Sequence, residues 1–235
     1  MKVLVSWSSG KDSAWLVHVL QGMADVEIGA LLTTINQAAD RVAMHAVRRD
    51  VLQAQADALH RGDRGTEPHD NIPLWIVPIP SPCPNDVYER AMTSAVVRAV
   101  AEGFTHVAFG DLFLEDVRRY REERLAGTGL TPIFPLFGAD TGRLAREMID
   151  AGLRARITCL NPAVLDRAFA GREFDAALLD DLPSSVDPCG ERGEFHTCAY
   201  AGPMFLAAIP IDTGITVERD RFVFTDLVLR TAVRA

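Results

Sequence analysis

Lysine is almost missing from this chain of 235 residues: there are two, Lys2 and Lys11, against 22 arginines. Such a bias is the usual mark of a GC-rich coding sequence. It makes the surviving Lys11, between Gly10 and Asp12, a compositional exception. A compact ammonium suits a tight loop where a planar guanidinium does not. Cysteine is scarce too. Four thiols without a C-x-x-C pair exclude a disulfide scaffold. Positive charge is in deficit, with a net charge of −8 and a pI near 5.2, which argues against wholesale binding of nucleic acid through its phosphates. No apolar run reaches the ~18 residues of a membrane span. The opening M-K-V-L-V-S-W lacks the long apolar core of a signal peptide. A reduced, cytoplasmic protein with no membrane partner is expected.

What is present is ordinary globular composition: 48% apolar and 24% charged residues exclude a disordered tail, a collagen-like repeat and a coiled coil. The length suits one large domain, or a main domain with an appendage. Val3 to Trp7 is an apolar run broken by Ser8-Ser9-Gly10. Residues from Ala14 to Leu20 then follow at helical spacing, which predicts strand, tight turn, helix. Val26 to Thr34 predicts a second strand and Arg41 to His60 a long helix. Residues 61–72 predict a loop, with His60 and His69 facing water, while His18 packs on the sheet. Leu74 to Pro78 predicts a third strand. A helix capped by Asn85 and running to Glu102 comes next, then a fourth strand from His106 to Phe109. This alternation argues for a parallel sheet with helices on both faces.

From about residue 128 prolines break the chain into shorter pieces. Ile133 to Leu136 and Ala155 to Leu160 predict strands around a helix from Thr141 to Ala151. Antiparallel strands are expected near Met204–Ile211 and Phe222–Leu229. The domain boundary is expected near residue 127, with residues 1–127 forming a nucleotide-binding domain and residues 128–235 an acceptor-binding region.

Two segments carry chemistry. The first is Ser8-Ser9-Gly10-Lys11-Asp12-Ser13, which opens the first helix, where free backbone N–H groups and the helix dipole favour an anion. It is neither a Walker A loop nor a G-x-G-x-x-G turn, which disfavours γ-phosphate kinases, GTPases and dinucleotide sites. Ser9 fits if its φ is negative. Gly110-Asp111, at the end of the fourth strand, falls at the carboxyl edge of the same sheet, where ligands bind. Asp111 is a candidate Mg²⁺ ligand, or the cap of a helix starting at Leu112. In the charged helix Glu115–Arg124 the simplest role is a solvated face, with some arginines able to reach phosphates. The second segment is Asp187 to Pro203, D-P-C-G-E-R-G-E-F-H-T-C-A-Y-A-G-P. Its Gly, Glu, His and Thr suit a loop that presents polar groups. Cys189, His196 and Cys198 raise zinc as an alternative, but four ligands at the usual spacing are not evident.

The first loop resembles the S-G-G-K-D-S PP-loop of the ATP pyrophosphatase superfamily, with Ser9 where that pattern has Gly. Together with Gly190-Glu191-Arg192-Gly193-Glu194-Phe195-His196-Thr197 and Gly202-Pro203, it resembles the diphthine–ammonia ligase family and its G-E-x-G-E-[FY]-x-T motif. Met44-His45, Gly110-Asp111, Arg124 with Gly129-Leu130, Pro135-Leu136 and Glu147 with Gly152 fit the same pattern. Phe195-His196 departs from the Tyr-Glu of the named enzymes.

The resemblance implies an α/β fold: a doubly wound, Rossmann-like parallel sheet of the adenine nucleotide α-hydrolase type, with a smaller C-terminal α+β region. It implies ATP and Mg²⁺ as cofactors. A carboxylate acceptor, small molecule or protein, is adenylated with loss of pyrophosphate, and ammonia or an amine then displaces AMP. Ser8, Ser9, Gly10, Lys11, Asp12, Ser13, Gly110 and Asp111 would hold the nucleotide phosphates, and Thr33, Thr34 and Met44 the adenine. Lys11, Asp12, Glu191, Glu194 and His196 form the expected catalytic set, with Glu191 and Glu194 flanking an ammonium or a cationic acceptor group. The arginine bias and short C-terminal region resemble a bacterial branch, for which an acceptor other than diphthine is expected. A homo-oligomer is a further partner expectation. The alternatives are a PP-loop nucleotide sensor without ligase chemistry and a PP-loop tRNA-modifying or sulfur-transfer enzyme.

Overall fold

The computed structural model describes residues 1–60 and 71–230. His69 and most of the expected 61–72 loop lie outside the described residues. Strand β1 (Lys2–Ser6) leads through a tight turn into helix α1 (Lys11–Gln21). Then follow β2 (Glu27–Asn36), β3 (Arg41–Val42), α2 (Arg49–Ala58), β4 (Leu74–Ile79), α3 (Asn85–Ala101), β5 (His106–Ala108), α4 (Glu115–Leu125) and β6 (Thr131–Ile133). Strand β2 pairs in parallel with β1 and β4, and β5 pairs in parallel with β1 and β6. The spatial order β4-β2-β1-β5-β6 reverses direction at β1, so the crevice above the carboxyl ends of β1 and β5 is the natural ligand position.

The alternation within β1 explains the two layers. Val3 and Val5 face α1 and α2 in one core, while Leu4 faces Ala95 and Ala99 of α3 and Leu125 of α4 in the other. The first core continues into a second, antiparallel sheet. After α5 (Thr141–Asp150) come β7 (Arg154–Leu160), α6 (Ala176–Asp181), β8 (Phe195–Ala201), β9 (Ile211–Arg219) and β10 (Phe222–Leu229). The order is β8-β7-β10-β9. Ala155, Ile157, Phe195, Ala199, Val223 and Leu227 of this sheet share the larger core with the first. The α/β expectation and its smaller C-terminal sheet therefore hold. The change of pattern at residue 127 is not a break in the first sheet, which extends to Ile133 through β6. Among the described residues no helix is long and apolar enough to cross a membrane.

Several local expectations change. The helix expected from Arg41 begins at Arg49. Arg41 and Val42 instead fold back on Asn36 and Ile35 as an antiparallel pair, since the backbone groups left at the end of β2 need partners there. Strand β4 takes the other edge of β2, so β3 lies on the side of β1, just beyond its end. The chain at Met44 and His45 is thereby lifted over the Ser8–Ser13 turn. Asn85 is the first residue of α3, and Pro84 occupies the cap position. The strand expected at Met204–Ile211 starts only at Ile211. The polar segment expected as a loop through Thr197 becomes strand β8 from Phe195 onward.

Candidate functional site

The turn between β1 and α1 holds itself by short bonds. The Ser8 and Ser13 hydroxyl oxygens are 3.1 Å apart, Gly10 N–H donates to Ser8 Oγ at 3.3 Å, and Ser13 Oγ donates to Gly10 O at 3.0 Å. Gly10 is the cap residue of α1 and supplies no side chain to satisfy the helix's first amides. The N–H groups of Ser9, Asp12 and Ser13 have no partner among the described residues. Neighbours crowd two glycines, severely at Gly10 and tightly at Gly110. A Cβ on Gly10 would lie 2.6 Å from the His45 ring, and one on Gly110 would lie 3.3 Å from the Asp12 backbone. Ser9 departs from expectation, with φ at +70°. It occupies the left-handed region, which explains why the PP-loop pattern has Gly there. Its hydroxyl is buried and unpartnered, while its carbonyl accepts from Ala199 N–H at 2.9 Å and Gln55 at 3.0 Å.

Lys11 is the exceptional lysine of the sequence and is only 2% exposed. Its ammonium donates to both oxygens of Asp12, at 3.0 and 2.8 Å, and to the carbonyl of Cys189. Burial works against its charge, but Asp12, Cys189 and Glu191 outweigh it, so its pKa is raised. Its backbone N–H donates to Thr197 Oγ1 at 3.1 Å. One residue thus ties the first turn to both ends of the 189–197 segment.

That segment covers a crevice of about 330 Å³, lined by Ser8, Lys11, Asp12, Ser13, Met44, His45, Gly110, Asp111, Arg121, Glu191 and His196, among others. Glu191 enters it, accepting from Leu112 N–H at 2.8 Å. Burial, aided by Asp12 and Asp111, pushes its carboxyl up to about 7. Glu194 does not enter it. Its carboxylate accepts from the backbone N–H of Asp187 at 3.0 Å and of Arg192 at 2.9 Å, so it closes its own loop. The expected pair of carboxylates flanking an ammonium is therefore not formed.

His196 does face the crevice, its ring centre 4.8 Å from that of His45. Burial, with His45 and Lys11 nearby, lowers its pKa to about 3, so it is a neutral imidazole and a poor proton acceptor near neutrality. The pKa of His45 is lowered by burial as well, and its Nδ1 lies 2.8 Å from the Thr197 carbonyl.

Of the expected adenine contacts, Met44 lines the crevice, and Thr33 and Thr34 do not. Thr33 is buried with its hydroxyl donating to Trp7 O at 2.8 Å, a bond between β2 and the end of β1. Asp111 reaches the crevice but caps no helix, since α4 begins at Glu115. Its carboxylate is gripped by Arg121, through Nε at 2.5 Å and Nη2 at 3.0 Å. Among the described residues, no group of three or more His, Cys, Asp and Glu side chains converges to hold a metal ion. Each Asp111 oxygen accepts one bond from Arg121 and keeps a lone pair, so an Mg²⁺ ion carried by ATP phosphates would share this carboxylate with the guanidinium. The zinc alternative finds no support either, for Cys189 Sγ lies against Thr141 O and Cys198 is buried and pushed up to about 12 by burial. His60, expected in water, is half-buried with Nε2 3.4 Å from Pro203 O, and His18 packs on Trp15 at 4.7 Å.

Among the lining residues outside the expected set are Arg121 and His45. Arg121 was one of many arginines on a charged helix. His45 fell inside the helix expected from Arg41, which begins only at Arg49. The signal for His45 was its place beside Met44 in the family pattern; nothing separated Arg121 from its neighbours.

Residues 140–228 match the family model described as Diphthamide synthase C-terminal domain. No curated protein matches the chain.

Proposed function

We infer, from a C-terminal region of the diphthine–ammonia ligase-like type laid over a PP-loop-like turn, that the protein is an AMP-forming, ATP-dependent carboxylate–ammonia ligase. The observation that carries the reading is the position of Lys11. It is buried, paired with Asp12, and bonded to the carbonyl of Cys189 within the family-matched segment. The unpartnered N–H groups of Ser9, Asp12 and Ser13 fit phosphate oxygens at a helix N-terminus. With the Lys11 ammonium, they offset the negative charge that grows on a leaving pyrophosphate. Met44 offers an apolar wall for the adenine.

In the first step a carboxylate oxygen of the acceptor forms a bond to the α-phosphorus, and pyrophosphate leaves with the electrons of the broken P–O bond. In the second, ammonia forms a bond to the acyl carbon and AMP leaves with the carboxylate-derived oxygen. Ammonium must lose a proton before it attacks. Glu191, with its carboxyl near 7, is the group in the crevice suited to take it. Glu194 holds the loop, and His196 and His45 supply neutral hydrogen-bonding faces.

The test is the nucleotide product formed from ATP, ammonium and candidate acids. AMP and pyrophosphate in acceptor-dependent amounts are expected. ADP and phosphate alone would end this reading.

A further inference from the structure

A second cavity of about 210 Å³ lies between α3 and α4, on the face of the first sheet away from α1. Tyr88, Met92 and Val96 of α3, Phe109 after β5, and Tyr120 and Leu125 of α4 form its apolar walls. The cause is visible in α3. Of its 17 residues only Ala95 and Ala99 are buried, and two methyl groups cannot fill the space between a long helix and its neighbour.

The cavity and the crevice share one side chain, Arg121. Its guanidinium sits 4.3 Å from the centre of the Phe109 ring. Asp111 takes Nε and one Nη2 hydrogen, leaving three of the five N–H donors without a described partner. The other cation at the cavity, Arg124, is bonded to Glu89. An open guanidinium thus stands where an apolar chamber meets the proposed ATP site. Such a boundary suits a molecule with an apolar body and an anionic end, and would repel an amine.

We propose that this cavity is the acceptor subsite, and that the acceptor is a small organic carboxylic acid with an aromatic or branched apolar body. The body lies among Met92, Val96 and Phe109, and the carboxylate lies on Arg121, facing the crevice. A cavity of roughly 150 Å³ is known to accept benzene, so 210 Å³ accommodates a ring with a short chain. The proposal rests on the ligase reading above and adds the substrate class to it.

Calorimetric titration of the whole protein with 3-phenylpropionate, and separately with ATP, tests both. Thr93 lines the cavity from the exposed side of α3, bonded only to Glu89 O, so Thr93→Trp closes the chamber without touching the core. The wild type is expected to bind 3-phenylpropionate at least tenfold tighter than 3-phenylpropylamine. Thr93→Trp should bind the acid at least tenfold more weakly while its ATP titration matches wild type. If ATP binds but the acid does not, or binds no better than the amine, or binds Thr93→Trp equally well, the subsite is overturned and the ATP reading stands. If the wild type binds no ATP, the ligase reading falls and this proposal with it.

Discussion

Two turns face each other across the crevice, and they spend their backbone amides in opposite ways. Between Ser8 and Ser13 the small side chains bond mainly to one another, and three N–H groups are left open. Between Asp187 and Glu194 the carboxylates consume the amides. Asp187 accepts from Cys189 and Glu191, and Glu194 from Asp187 and Arg192. The first turn leaves backbone donors open at a helix N-terminus, the arrangement the proposed reading assigns to phosphate oxygens. The second is a rigid bracket that presents the Cys189 carbonyl and the Glu191 carboxylate to it. Acidic residues so close to the proposed phosphate site look unfavourable in sequence, but one oxygen of Asp187 and both of Glu194 are taken up by amides of their own loop.

Removing the link between the turns should have the largest effect. Lys11→Ala is expected to lower acceptor-dependent pyrophosphate release at least ~100-fold. Lys11→Arg should recover little of it, because the forked group has no room between Asp12 and the Cys189 carbonyl. Full activity in the arginine variant would show that the turns need only a shared positive charge.

The two glutamates separate bracket from site. Glu194→Gln should cost about 2 kcal/mol of stability, measured by urea unfolding, since it replaces a charged acceptor of two buried bonds. Glu191→Gln should instead remove the limb of the rate profile that rises through pH 7. The folded pKa of Glu191 is raised above its unfolded value, so its protonated form favours the fold. That contribution is lost as pH climbs through about 7. Glu191→Gln should then melt above wild type at pH 8 and alongside it at pH 4. Equal melting at both pH values would mean that Glu191 is not the shifted group.

A smaller effect is expected at Asp226 in β10, which bonds both Arg41 and Arg48, at 2.7 and 2.6 Å. These arginines flank the Met44–His45 segment, so the second sheet anchors one wall of the crevice from outside. Asp226→Asn should weaken ATP binding several-fold by calorimetry while leaving the Glu191 limb in place. Burial opposes the charge of Asp226, but its bonds to both arginines prevail and lower its pKa. Its contribution is therefore present at neutral pH and lost in acid, as pH falls through the folded value. The smallest change is Ser9→Gly. Relief of a positive φ and of a buried, unpartnered hydroxyl should outweigh the entropy of glycine and stabilise by about 1 kcal/mol. A loss of stability would show that the Ser9 hydroxyl is satisfied in the free protein.

The strand–turn–helix order around Lys11 and the placement of Gly110-Asp111 at the same sheet edge were legible because both follow from local pattern and parallel topology. Other features were not. Arg41 to His60 has helical spacing throughout, yet its first residues complete a sheet edge instead of a helix. Glu191 and Glu194 are the same residue type three positions apart, and only the path of the loop sends one to the crevice and the other to its own backbone. Asp111 carries no mark of its pairing with Arg121, which needs α4 to return over the end of β5. Ser9 gives no sign of its left-handed backbone until the turn is closed.

The amino-acid order by itself determined the strand–helix alternation around the first sheet, that the lysine after Gly10 opens a helix after a tight turn, and that an acidic, glycine-rich segment lies far downstream of it. These are consequences of spacing and propensity, which act over a few residues. The tertiary structure decided that the downstream segment lies across the turn, that Glu191 is raised toward neutrality, and that Arg121 joins the crevice to a second cavity. Burial and charge pairing depend on groups more than a hundred residues apart in some cases, and their energies exist only once the two sheets share one core.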